Sequence, residues 1–228
     1  VFLHAPESNL GAALTAVATD GHRLARWRRP APAGAEAMAG VIVPRKTVGE
    51  LLRLAKGRTA PVRIEVSAEK IRATFTGDGG AIVLTSKLID GTFPDYGRVI
   101  PGSSSAAVTV DRAALAASLD RATTIQTDRG SAVKCAFAEG RLTISSRNPG
   151  AGTAEEEMAY DDIADAGTEP ANLAIGFNGK YLRDALATLP GDRVEIALSD
   201  PGSPAVFRPH NPASTAADRL VVVMPMRV

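Results

Sequence analysis

The chain has 228 residues, 45% apolar and 22% charged, which is material for one large domain or two smaller ones with a real core. Its net charge of +1 singles out no partner, and its one cysteine, Cys135, excludes a disulfide framework or a Cys-rich zinc site. No apolar run reaches the roughly 18 residues that a membrane span needs.

Charge is unevenly spread. Residues 1–105 hold 14 Lys+Arg against 9 Asp+Glu, and residues 106–228 hold 12 against 16. Such asymmetry points to a polyanion facing part of the chain, or to a charged interface. No signal peptide pattern is visible, so a cytoplasmic location with a reduced, buried Cys135 is expected.

The chain opens on Val1-Phe2-Leu3, an apolar run without a starting Met, and residues 1–27 read as strands with no helix ahead of them. The expectation is a chain cut from something longer, inside a repeated unit. Thr19-Asp20-Gly21-His22-Arg23-Leu24 lies between apolar strands, and Asp-Gly is a hairpin signal because the turn needs positive φ. His22 has no Cys or second His at ligand spacing, so a surface position beside the turn is expected and not a metal site.

Three amphipathic helices follow. The first puts Val48, Leu51, Leu52 and Ala55 on one face, with Pro44 suiting its first turn and Gly57 its end. Lys46, Glu50 and Arg53 lie opposite, on a face that is either solvated or turned to a phosphate backbone. Arg45 and Lys46 sit at the helix start, where the dipole disfavours cations, and this favours the phosphate reading. The second helix carries Leu115, Leu119 and Ala122 behind Asp111 as N-cap. The third carries Leu182, Ala185, Leu186 and Leu189 behind Asn178, and stops at Pro190-Gly191.

Val48, Leu115 and Leu182 are spaced 67 residues apart, as are Leu52, Leu119 and Leu186. A fixed period signals a repeated structural unit. After each helix, apolar residues alternate: Val62, Ile64, Val66, then Ile71, Ala73, Phe75; Val133, Cys135, Phe137, then Leu142, Ile144; Val194, Ile196, Leu198, then Ala205, Phe207. Alternation means strands with one buried face. A third strand, at 81–88, 153–160 and 220–226, closes each unit. The fold class is therefore α+β, in repeated helix-plus-antiparallel-sheet units, two per domain. Residues 1–102 make a damaged domain and 106–228 a complete one, joined through Pro101-Gly102-Ser103-Ser104-Ser105.

The chemistry-bearing motifs are sparse. Asp161, Asp162 and Asp165 lack the Gly and Glu that would complete an EF-hand loop. Gly77-Asp78-Gly79-Gly80 lacks the Lys-Ser/Thr of a phosphate loop and reads as a turn. No nucleophile motif appears, and neither a cofactor nor a metal is implied. These features favour binding or scaffolding over catalysis. An enzyme on a duplicated α+β fold and a peptide-binding adaptor without DNA stay open as rivals.

Several strings resemble the bacterial DNA polymerase III β subunit (β sliding clamp) family. Ala18-Thr19-Asp20-Gly21-His22-Arg23-Leu24-Ala25 is similar to the family's signature hairpin, and Val41-Ile42-Val43-Pro44-Arg45-Lys46 to the entry of a middle-domain helix. Thr85-Ser86-Lys87-Leu88-Ile89-Asp90-Gly91 through Phe93-Pro94-Asp95-Tyr96 resembles the interdomain segment, Phe177-Asn178 with Tyr181 the last helix, and Val223-Met224-Pro225-Met226-Arg227 the C-terminal tail.

The resemblance implies the DNA-clamp fold, without the first of three domains. It implies a homodimeric, head-to-tail ring around duplex DNA, gripping it without regard to sequence. By the same resemblance Arg45, Lys46 and Lys134 face DNA. A peptide pocket is implied at Thr19, Gly21, His22, Arg23, Leu24, Pro94, Arg98, Val99, Asn178, Tyr181, Val222, Met224, Pro225, Met226 and Arg227, with Leu24, Val99, Val222 and the two Met residues as an apolar floor. Its implied partners are the polymerase III α subunit, the clamp loader and other proteins with clamp-binding motifs. Without the first domain this chain is expected to be monomeric, because a heterologous ring cannot close with one half of its interface absent. Gly202 and Pro204, near the pocket, depart from the family's usual residues.

Overall fold

The computed structural model describes residues 1–5, 12–36, 38–77, 80–126, 132–162, 170, 172–210 and 218–228. They pack as two units: Val1–Ala18 with Trp27–Pro94, and Thr19–Arg26 with Asp95–Val228.

In the first unit, β1 (Phe2–His4) pairs antiparallel with β2 (Ala13–Thr19) on one side. β3 (Arg23–Pro30) ends in this unit, and β4 (Val41–Ile42) flanks β1 on its other side. Helix α1 (Arg45–Ala55) is followed by an antiparallel sheet of β5 (Val62–Val66), β6 (Lys70–Gly77) and β7 (Gly80–Lys87), with β6 central. Ile71, Ala73 and Phe75 alternate inward on β6, as the sequence pattern requires. Gly57, at φ +75°, ends α1. Pro44 occupies the N-cap and not the first turn, and gives α1 no side-chain cap.

The expected apolar face of α1 is only partly realised. Thr47 is its one buried residue among those described, and Leu52 is 69% exposed. In this unit α1 packs on β6 and has no helix neighbour among the described residues.

In the second unit, β8 (Ala106–Asp111) runs into α2 (Arg112–Ala122), followed by β9 (Ala132–Ala138), β10 (Arg141–Asn148), β11 (Gly152–Ala159) and the short β12 (Asp161–Asp162). Then β13 (Leu173–Asn178) runs into α3 (Gly179–Thr188), followed by β14 (Arg193–Leu198), β15 (Ala205–Pro209) and β16 (Asp218–Val223). One sheet has the order β11-β10-β9-β13. The other runs β12-β8-β14-β15-β16, with the start of β3 beside β16.

Side chains from both sheets, among them Phe137, Ile144, Phe177, Val194 and Phe207, meet Leu115, Leu119, Leu182 and Leu186 of the two helices in one core. Asp111 Oδ1 accepts from the Ala114 N–H at 2.7 Å and Asn178 Oδ1 from the Tyr181 N–H at 3.2 Å, so both expected N-caps form.

The α+β architecture of repeated helix-plus-sheet units is as expected, with two refinements. A strand leads into each helix (β4, β8 and β13), so the unit is strand–helix–three strands. The expected strand at 220–226 stops at Val223, just ahead of Pro225, which has no N–H for a ladder. Residues 7–11, Asp78, Gly79, Asp165 and the side chain of Asp162 lie outside what is described.

Candidate functional site

The hairpin between β2 and β3 is built by its own side chains. Gly21 takes φ +86°, the conformation expected of its Asp-Gly turn. Asp20 Oδ1 accepts from the N–H groups of His22 (3.1 Å) and Arg23 (3.0 Å). The Thr19 hydroxyl donates to the Arg23 carbonyl at 2.8 Å and accepts from the Gly21 N–H at 3.2 Å. Leu24 is buried beneath the turn.

This rigid turn presents Arg23 to helix α3. Its Nε bonds Asp20 at 2.9 Å and its Nη1 bonds Asp184 at 2.7 Å, while Lys180 Nζ reaches the same Asp184 oxygen at 2.6 Å. The guanidinium lies 4.4 Å from the centre of the Tyr181 ring, and the His22 ring stacks on Tyr181 at 6.2 Å. Partial burial pushes the carboxyls of Asp20 and Asp184 up. The hydrogen bonds and positive charge of Arg23, joined at Asp184 by Lys180, outweigh that push and hold both below the usual carboxylate range.

The C-terminal tail closes the group. The Met224 N–H donates to the His22 carbonyl at 2.9 Å, and the Met226 N–H to the Gly176 carbonyl at 2.7 Å. Pro225, Met226 and Arg227, with Val228, line a cavity of about 460 Å³ together with Ala174, Gly176, Pro201 and Gly202. The hairpin, the start of α3 and the tail thus come together within one unit. Asn178 holds the α3 N-terminus from below.

The remaining expected pocket residues behave differently. Val222 and Leu24 are buried, whereas Met226 and Val99 keep exposed apolar surface. Among the described residues Arg98 and Val99 bond within the capped turn Asp95–Val99: Arg98 pairs with Asp95 at 3.0 Å and is 86% exposed at its side chain, and the Val99 N–H donates to the Tyr96 carbonyl. Pro94 is exposed and belongs to the first unit.

A second feature runs between α2 and α3. Arg112, Ala116, Asp120, Lys180, Arg183, Asp184, Leu186 and Ala187 line a groove of about 630 Å³. Its cations are held in place: Arg183 bonds Asp120 at 2.9 Å, Lys180 bonds Asp184, and Arg112 Nε bonds the Gly191 carbonyl at 2.6 Å. Arg45 and Lys46 are exposed in the first turn of α1.

Lys134 does not belong with the groove. Its neighbours Val133 and Cys135 point into the core shared with α2 and α3, so alternation turns Lys134 to the opposite face of the sheet. Burial pushes the Cys135 thiol up to about 12, and it stays protonated and unreactive. Among the described residues no cluster of His, Cys, Asp and Glu could hold a metal ion, and no helix is long and apolar enough to cross a membrane.

Residues 97–227 match the family model for the C-terminal domain of the DNA polymerase III beta subunit, and residues 7–95 the model for its central domain. The chain is 42% identical over its whole length to the beta sliding clamp of Caulobacter vibrioides, and 36% identical over 96% of its length to that of Escherichia coli K12. It spans 58% and 56% of those relatives. Among solved structures, the DnaN sliding clamp of Bartonella birtlesii bound to griselimycin superposes on all of this chain and 57% of its own, with TM-score 0.87 and 41% identity. A griselimycin-bound clamp of Pseudomonas aeruginosa superposes on all of this chain and 57% of its own, with TM-score 0.86 and 35% identity.

Proposed function

Because the chain belongs to the DNA polymerase III beta subunit family, we propose that it serves as the central and C-terminal part of a DNA sliding clamp: a non-catalytic processivity factor that encircles duplex DNA and tethers its clients through a peptide pocket. Its two domains divide at residues 1–102 and 106–228, and it acts in the bacterial cytoplasm, on the nucleoid, in a ring of two protomers.

The observation that carries this reading is the meeting of the Thr19–Arg26 hairpin, the Asn178-capped start of α3 and the C-terminal tail. Exposed Met226 and Val99 offer adaptable apolar contact, and Arg23, held over Tyr181, offers a fixed cation and ring face. Such a site suits short linear motifs with apolar side chains, as carried by the polymerase III α subunit, the clamp loader and other clients, and it suits griselimycin. Deleting 224–228 abolishes binding of a clamp-motif peptide in calorimetric titration while leaving the fold intact. Unchanged affinity after the deletion would overturn the assignment.

For DNA, Arg45 and Lys46 on α1 and the groove cations Arg112, Lys180 and Arg183 are the proposed inner-surface contacts. Lys134, turned away from the helices, is left out. Asp120 and Asp184 partly neutralise the groove, so its grip on phosphate is weak and lets the ring slide. In a complete ring, changing Arg45 and Lys46 together to Glu shortens retention on circular DNA and flattens its salt dependence. An unchanged lifetime and slope would remove those residues from the DNA face.

A further inference from the structure

The strand β13 carries a glycine, Gly176, between two fully buried neighbours, Ile175 and Phe177. A glycine in a strand interior weakens it, and it marks either a bulge or a place where another backbone comes close. Gly176 has no positive φ that would demand glycine, and it pairs regularly with Lys134 of β9. Close approach is the remaining reason.

The approaching chain is the tail. Met226 forms an isolated bridge with Gly176 on the free edge of β13. A Cβ added to Gly176 would lie 2.5 Å from Val228 Cγ1 and would overlap the backbone carbonyl oxygen of Met226. A side-chain tip can swing away, but a backbone oxygen can retreat only if the segment carrying it does.

Something must yield, and the structure says which side. β13 is fixed by β9 along its length and by Ile175 and Phe177 in the core. Among the described residues the tail is tied here by the Met226 hydrogen bond, and Val228 is 68% exposed. We infer that Gly176 is a positioning residue for the peptide site: its missing side chain is what lets the tail dock and hold Met224, Pro225, Met226 and Arg227 in place. This rests on the pocket reading above and deepens it. Pro225, with no N–H of its own, sits between two anchors, Met224 on the hairpin and Met226 on β13, and Gly176→Ala removes only the second.

The test uses the full chain with griselimycin as the probe, comparing wild type, Gly176→Ala and the 224–228 deletion. The inference expects Gly176→Ala to weaken griselimycin at least about 10-fold. It expects the Met226 amide to exchange with solvent at least about 10-fold faster, with the Met224 amide less affected and the melting temperature within a few degrees of wild type. Wild-type affinity in Gly176→Ala, with Met226 still protected, overturns the inference and leaves the pocket standing if the deletion abolishes binding. A wild type that binds no griselimycin, or a deletion that binds it normally, instead overturns the pocket reading. If Gly176→Ala does not fold, hydrogen exchange on the wild type still decides, because an unprotected Met226 amide means the tail is not docked on β13.

Discussion

Leu52, Leu119 and Leu186 occupy the same place in the 67-residue repeat, yet Leu52 is 69% exposed while Leu119 and Leu186 are 0% and 1% exposed. Their helices share the apolar spacing that marks a face for burial. They differ in what lies against that face. In the second unit α2 and α3 pack on each other and share one core with both sheets, whereas in the first unit α1 has no helix against it among the described residues: Val48 packs on Val41, Val43 and Ile71, and Thr47 bonds Ser86 of β7. Periodicity declares which face can be buried, and neighbours decide whether it is.

The largest way to break this comparison is truncation at the shared position. Leu119→Ala or Leu186→Ala costs about 2–5 kcal/mol through lost burial and a cavity, and Leu52→Ala changes stability by less than about 0.5 kcal/mol. Urea denaturation of the three variants measures it. Equal costs at all three positions would mean that Leu52 is covered in solution.

Helix capping gives a smaller contrast. The side chains of Asp111 and Asn178 each accept an N–H at the start of α2 and α3, and Pro44 has no side-chain acceptor to offer α1. Asp111→Ala and Asn178→Ala each cost about 0.5–2 kcal/mol, and Pro44→Ala loses no capping bond. Thermal melts of the three variants check the order.

What the sequence made legible was local and periodic. Both N-caps, the Asp-Gly turn, the repeat and the inward residues of β6, β9 and β10 follow from spacing and turn chemistry, whereas Ile64 on β5 is 45% exposed against its alternation. What it hid was pairing between distant residues: Arg23 with Asp184, and Met226 with Gly176, depend on strands meeting across the fold. Lys134 teaches a different lesson. The alternation of Val133, Cys135 and Phe137 turns it away from the helices, while the resemblance to the family turns it to DNA. Gly176 was readable as an oddity in an apolar strand, but only the docked tail gives the reason.

The finest contrast is in charge. In the second unit Asp184 is held below the usual carboxylate range in the folded protein: burial pushes it up, but Lys180 and Arg23 outweigh that. In the first unit Glu65 is held down by its hydrogen bonds from Arg72, on a surface where such pairs contribute little. A carboxyl depressed by folding adds stability above its unfolded pKa of roughly 4, and that contribution disappears as pH falls through the folded value. Asp184→Asn should therefore lower the urea midpoint at pH 7, and its deficit should shrink as pH falls through the folded value of Asp184. Glu65→Gln should track wild type throughout. A deficit in Asp184→Asn that stayed constant with pH would show that the side chain acts through its packing and hydrogen-bond geometry, and that the Arg23–Asp184–Lys180 fork does not depend on its charge.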